Sequence, residues 1–128
     1  MKLWIERIST LMAVCGFSIS VLAAEPMIIE GAARAIDGRT IEIWGQTIRL
    51  WGVSVADGDT EEGRRATLQL QRLIKNVTVR CKQTGESSLK FAVARCYVGD
   101  IDIAWPMVMT GHATDDPLLS GGHYAASR

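Results

Sequence analysis

Residues 31–53 read GAARAIDGRTIEIWGQTIRLWGV, and this stretch decides the fold. Ile41 and Ile43 point one way, as do Ile48 and Leu50, which is the period-two signature of a half-buried strand. Three such runs are joined at Asp37-Gly38 and at Gly45-Gln46, two-residue loops of the kind that type I′ and II′ hairpins favour. The stretch therefore predicts a curled meander with one apolar face. With Gly45-Gln46 as the turn, Glu42 falls across from Arg49. A surface ion pair between them, contributing about 0 to 1 kcal/mol, would explain Arg49 without any further role.

Downstream, the string DGDT at 57–60 leads into a helix. Asp59 is the expected N-cap, with Glu62 three positions on as in a capping box. Ala66, Leu70, Leu73 and Ile74 recur at helical spacing and form a stripe that would pack on the barrel, and Asn76 is the expected stop. Two β-type runs follow, at 77–82 and 91–98, around a polar turn at 83–88. A short strand is expected around 101–103, and Pro106 to Thr110 suggests a second brief helix ending at Gly111. Beyond Gly111 the periodicity dissolves and a loose tail is expected. Three strands, a helix and two strands is the order of an OB-type five-stranded barrel, an α+β chain dominated by β structure.

The start of the chain belongs to something else. Lys2 and Arg7 precede an apolar stretch over residues 8–22, and small residues follow at Ala23 and Ala24 before Pro26. That pattern reads as a secretory signal over residues 1–24, with one domain over 25–128. A membrane span needs about 20 apolar residues, and Ser9, Thr10, Ser18 and Ser20 interrupt this run, so no span is expected after the signal is removed. Cys15 follows the bulky Val14, which disfavours lipidation. An exported protein, periplasmic or extracellular, is the expectation. From Glu25 onward there are 12 Lys and Arg against 13 Asp and Glu, a net of −1. Nucleic-acid binders usually carry a basic excess to neutralise phosphates, and this balance offers none.

Two cysteines survive export, Cys81 and Cys96, one in each of the paired runs. An even count in an oxidising compartment reads as a disulfide, and closing a loop of this length contributes about 3 kcal/mol in the chain-entropy model. Metal ligation and free thiols are the alternatives, but there is no C-x-x-C and no adjacent histidine.

Five pieces in order carry a resemblance to a known family: DGRT at 37–40, IRLWGV at 48–53, EGRRA at 62–66, VARC at 93–96 and GHA at 111–113. Together they resemble the thermonuclease-like (micrococcal nuclease) family over roughly residues 31–113. The resemblance implies an OB-type barrel and calcium-assisted phosphodiester hydrolysis, with aspartate ligands, a glutamate that handles water, and two arginines on the phosphate. Transferred one by one, the first metal aspartate falls on Arg39 and the second on Ser54. The glutamate falls on Asp57, one methylene short, and the first arginine on Arg49. The second arginine falls on Phe91, and two tyrosines fall on Leu89 and near Pro117. Arg49 alone is kept. A cation placed beside Arg39 would meet like charge, on the order of 4 kcal/mol per pair at 4 Å and an effective dielectric near 20.

Other motifs read structurally. DGDT at 57–60 precedes a helix, where capping explains it; a relocated cation site would use Asp57, Asp59, Glu61 and Glu62. Arg64 and Arg65 read as a solvated helix face. His112 and His123 are eleven apart without a third ligand nearby. Trp44, Trp51 and Trp105 sit in or beside apolar runs and are expected to pack in the core or at a barrel end rather than stack on bases.

Three functions compete on this basis. The first is an exported thermonuclease-like barrel without catalysis, binding a protein partner or holding an anionic ligand at Arg39 and Arg49, with no cofactor. The alternative is a calcium-dependent nuclease working through Arg49 and Asp57 on nucleic acid. The third is a structural product, because the tail lacks the long helix the family carries there.

Overall fold

The computed structural model describes residues 15–16, 18, 27–87 and 90–125. The expected export signal lies outside these residues apart from positions 15, 16 and 18, and so does Leu89. Strands β1 (Ile28–Asp37), β2 (Thr40–Ile43) and β3 (Gln46–Leu50) form the antiparallel meander. Ile41, Ile43 and Ile48 are wholly buried and Leu50 nearly so, as the alternation requires. Burying each such side chain is worth about 1.5–3 kcal/mol.

Closure comes from β1 and β6. The first half of β1 pairs with β5 (Thr78–Ser87) and the second half with β2. β5 pairs antiparallel with β6 (Ala92–Val98), and β6 runs parallel to β3, with Ile48 opposite Ala92 and Leu50 opposite Ala94. The order β1-β2-β3-β6-β5 then returns to β1, a closed mixed five-stranded barrel of OB type. Cys81 and Cys96 face each other in register, both buried, and form a disulfide with Cα atoms 4.0 Å apart.

Both hairpin turns sit one residue from their expected positions. The first is Gly38-Arg39, with Asp37 opposite Thr40, and the second is Trp44-Gly45, with Ile43 opposite Gln46. Trp44 (φ 52°) and Gly45 (φ 75°) are both left-handed, the shape of a type I′ turn. Tryptophan is an unusual choice there. Its indole N–H donates to the Glu30 carbonyl at 3.1 Å, which recovers part of the strain. The consequence is a different register: Arg49 lies opposite Thr40, and Glu42 lies opposite Thr47. Glu42 pairs instead with Arg34 at 3.2 Å, so the expected Glu42–Arg49 ion pair does not form.

Helix α1 (Glu61–Ile74) buries Gly63, Ala66, Leu70 and Ile74. Its N-cap is Thr60 rather than Asp59: the hydroxyl accepts from the Gly63 N–H at 3.0 Å and donates to the Asp57 carbonyl at 2.6 Å. A Cβ on Gly63 would lie 1.8 Å from that same carbonyl, so only glycine lets the loop close on the helix. The helix ends at Ile74 with Lys75 as its C-cap, and Asn76, the expected stop, follows in a left-handed conformation (φ 58°). The polar segment at 83–88 does not form a turn beginning at Gln83, because β5 continues to Ser87 with an irregular register.

After β6 come β7 (Ile101–Asp102) and α2 (Ala104–Met109), which starts before Pro106 because proline tolerates the first helical turn. The chain beyond Gly111 is not loose. β8 (Thr114–Asp115) pairs with the short β4 (Val53–Ser54), α3 (Pro117–Ser120) follows, and Tyr124 is fully buried. Individual side-chain contacts hold this segment rather than a repeating apolar face, so periodicity could not reveal it. Among the described residues no helix is long and apolar enough to cross a membrane.

Candidate functional site

The corrected register builds the site. Thr40 and Arg49 are cross-strand partners on β2 and β3, so their side chains leave the sheet on one face, away from Ile41 and Ile48. Arg39 is the turn residue immediately before Thr40. Its N–H donates to Asp37 Oδ1 at 2.9 Å, and its carbonyl accepts from the Leu50 N–H at 2.7 Å, so both strands fix its backbone.

The Arg49 guanidinium lies 4.0 Å from the centre of the Phe91 ring. Stacking of this kind contributes about 0.5–2 kcal/mol. Phe91 stands where the family resemblance implies a second arginine, and it supplies a π face to the first. Burial lowers the Arg49 pKa, the positive charge of Arg39 lowers it further, and Asp37 opposes the shift. Arginine stays protonated regardless. Beside burial, then, Arg49 has a second cation in Arg39 and a partial counter-charge in Asp37.

Two polar atoms here are buried and unpartnered among the described residues: Thr40 Oγ1 and Arg49 Nε. Thr40 is only 4% exposed. An unmet buried donor costs about 1–3 kcal/mol, which calls for an explanation in a ligand or an ordered water. Arg39, Thr40 and Arg49 thus offer two guanidinium groups and a hydroxyl, a donor set suited to an oxyanion.

The other implied positions do not join them. Asp57 is exposed, its carboxylate makes no hydrogen bond or ion pair with a described residue, and its carbonyl serves the cap of α1. Ser54 Oγ donates to Asp116 Oδ2 at 3.3 Å, on the short β4–β8 sheet. Calcium needs several oxygen ligands. Arg39 and Ser54 do not provide them, and among the described residues no three of His, Cys, Asp and Glu converge. The same finding covers Asp57, Asp59, Glu61 and Glu62, so the residues present do not fit the ion.

Sequence reasoning missed Thr40, which reads as an ordinary β-branched strand residue; only the register reveals it as Arg49's partner. It also missed a second arginine centre. Arg95 Nη2 lies 3.3 Å from Asp102 Oδ2 and 3.2 Å from His123 Nε2. The Tyr124 hydroxyl donates to Asp102 Oδ2 at 2.7 Å, and the Ala104 N–H donates to Oδ1 at 3.1 Å. Trp51 and Trp105 pack around His123 and Tyr124, as expected of barrel-end residues. Trp44, by contrast, is 86% exposed because it occupies a turn. Compared with protein-family models and with curated proteins, the chain matches none.

Proposed function

We propose that this chain is an exported, thermonuclease-like barrel that binds an oxyanion without metal and does not hydrolyse phosphodiesters. The observation that carries the reading is the Arg39–Thr40–Arg49 cluster, in which two cations and two buried polar atoms without a partner among the described residues share one end of a hairpin. A phosphate, sulfate or uronate group would neutralise the guanidinium pair and engage the Thr40 hydroxyl. Export is supported by the leader pattern and agrees with the buried Cys81–Cys96 disulfide, a bond that persists in oxidising compartments.

Catalysis is disfavoured by chemistry rather than by fold. Hydrolysis of this type needs a cation to neutralise developing charge and a carboxylate to handle water, held together. Here Arg39 occupies one cation position, and no contact joins Asp57 to Arg49. Arginine can bind the ground-state anion, but among the described residues no carboxylate is hydrogen-bonded or ion-paired to Arg49 to position a water there.

Two assays on the exported chain test this. Titration with phosphate, a nucleotide and a uronate should show binding tighter than about 1 mM that weakens as salt rises. Arg39→Ala and Arg49→Ala should each reduce it. Incubation with single-stranded DNA and RNA plus calcium should give no cleavage above background. Robust cleavage, abolished by chelator and by Arg49→Ala, would replace this reading with the nuclease one.

A further inference from the structure

A separate pocket of about 430 Å3 lies between the start of α1, the β4–β8 sheet and the chain leaving α2. Neither Arg39 nor Arg49 lines it. Its volume falls within the range of small-molecule sites, about 300–1,000 Å3. Val55 and Ala113 give it apolar walls, and Glu62, Arg65 and His112 supply its charged and titratable groups.

Hydrogen bonding sets the tautomer of His112. Thr110 Oγ1 is 2.7 Å from the Pro106 carbonyl and 2.7 Å from His112 Nδ1. A hydroxyl has one proton, and a carbonyl can only accept, so that proton goes to Pro106. Nδ1 of the neutral imidazole must then carry the hydrogen and donate to Thr110. Nε2 keeps its lone pair, and no described residue engages it. Glu62 likewise makes no hydrogen bond or ion pair with a described residue. Arg65 bonds Glu61 through one Nη2 contact, which leaves most of its five N–H groups uncommitted.

We propose that this pocket binds a small zwitterion of the α-amino-acid class. Its ammonium group would meet Glu62 and His112 Nε2, and its carboxylate would meet Arg65. The mixed signs select this class. A bare anion would face the Glu62 carboxylate, and a bare cation would face the Arg65 guanidinium. A metal ion would find only Glu62 and His112, and no described trio of His, Cys, Asp and Glu gathers there. Beside the polar lining, Val55, Ala56 and Ala113 present short apolar groups, which suits a small aliphatic side chain.

The test is calorimetric titration of the exported chain with glycine, L-alanine and L-valine. N-acetyl-L-valine, L-valinamide, zinc chloride and inorganic phosphate serve as comparison probes. At least one amino acid should bind, with N-acetylation and amidation each weakening binding about tenfold or more. Glu62→Gln should reproduce the loss seen on removing the ammonium, and Arg65→Gln the loss seen on removing the carboxylate. Both residues are exposed, and circular dichroism checks that the variants fold. His112→Ala should weaken the amino acid and leave phosphate binding at Arg49 unchanged, whereas Arg39→Ala should do the reverse. The proposal is overturned if none of the three amino acids binds below about 10 mM, or if the acetylated probe binds as well as valine. Tighter binding of zinc than of any amino acid would overturn it too, as would binding that survives both Glu62→Gln and Arg65→Gln.

Discussion

Arg49 and Arg95 invite comparison because so much about them is alike. Both are half-buried, both stack on aromatic rings, and both leave a buried Nε without a partner among the described residues. Their companions differ. Arg95 faces Asp102, which is 6% exposed and also receives the Tyr124 hydroxyl and a backbone N–H. Arg49 faces Arg39, with Asp37 only partly offsetting it. Burial lowers the Arg49 pKa and Arg39 lowers it further, whereas for Arg95 burial is outweighed by Tyr97, Tyr124 and Asp102 and the pKa rises. An unpartnered Nε therefore does not mark a binding site by itself. The balance of charge separates the two: among the described residues one centre has a buried carboxylate bonded to its arginine, and the other has only the partial offset from Asp37.

The largest effect should come from breaking the completed centre. Asp102→Ala removes the anion from Arg95, the acceptor from Tyr124 and the acceptor from Ala104. We expect a loss of about 3 kcal/mol in urea denaturation, below the upper range for buried pairs because Arg95 is partly exposed. Arg49→Met, at the uncompleted centre, should cost less than about 1 kcal/mol, since it removes a cation that repels Arg39. If the two variants cost the same, the comparison fails.

A smaller effect comes from Tyr124. Burial, then its hydrogen bond to Asp102 and the Asp102 charge, raise its pKa well above the ordinary value. A raised pKa means that folding favours the protonated phenol. The resulting stability is fully present below the unfolded pKa of about 10 and is lost as pH rises beyond it. Tyr124→Phe should cost about 1 kcal/mol near neutral pH and should flatten the decline above pH ~10. An unchanged alkaline profile would show that Tyr124 does not titrate through this network.

Smallest of all is Arg39→Ala. Relief of like-charge repulsion should stabilise the chain by up to about 1 kcal/mol at low ionic strength, and the gain should vanish at high salt. A loss of stability that is independent of salt would mean that Arg39 serves the turn and not the anion.

How much of this was legible in the sequence differs by region for physical reasons. Ile41, Ile43, Ile48 and Leu50 alternate because each strand buries one face, and Ala66, Leu70 and Ile74 recur because a helix buries one stripe; both patterns survive in the chain without the structure. The facing of Cys81 and Cys96 followed from the same pairing. Trp44 broke the turn reading, because its left-handed backbone depends on a contact with Glu30 that no local rule supplies. That one-residue error hid the Thr40–Arg49 pair and suggested an ion pair that Arg34 makes instead. Tyr124 was invisible for a related reason. Its partners are Asp102 and two tryptophans far away in sequence, so no periodicity announces it.

The central proposal is that Arg49, unlike Arg95, binds an external anion. Arginine Nε–H resonances of the 15N-labelled protein, followed during a phosphate titration in the presence of chelator, test it most directly. The account predicts a saturable shift of the Arg49 Nε–H, no shift of the Arg95 Nε–H, and loss of the response in Arg39→Ala. Equal shifts at both arginines, no shift at either, or a response at Arg49 that appears only with added calcium would contradict it.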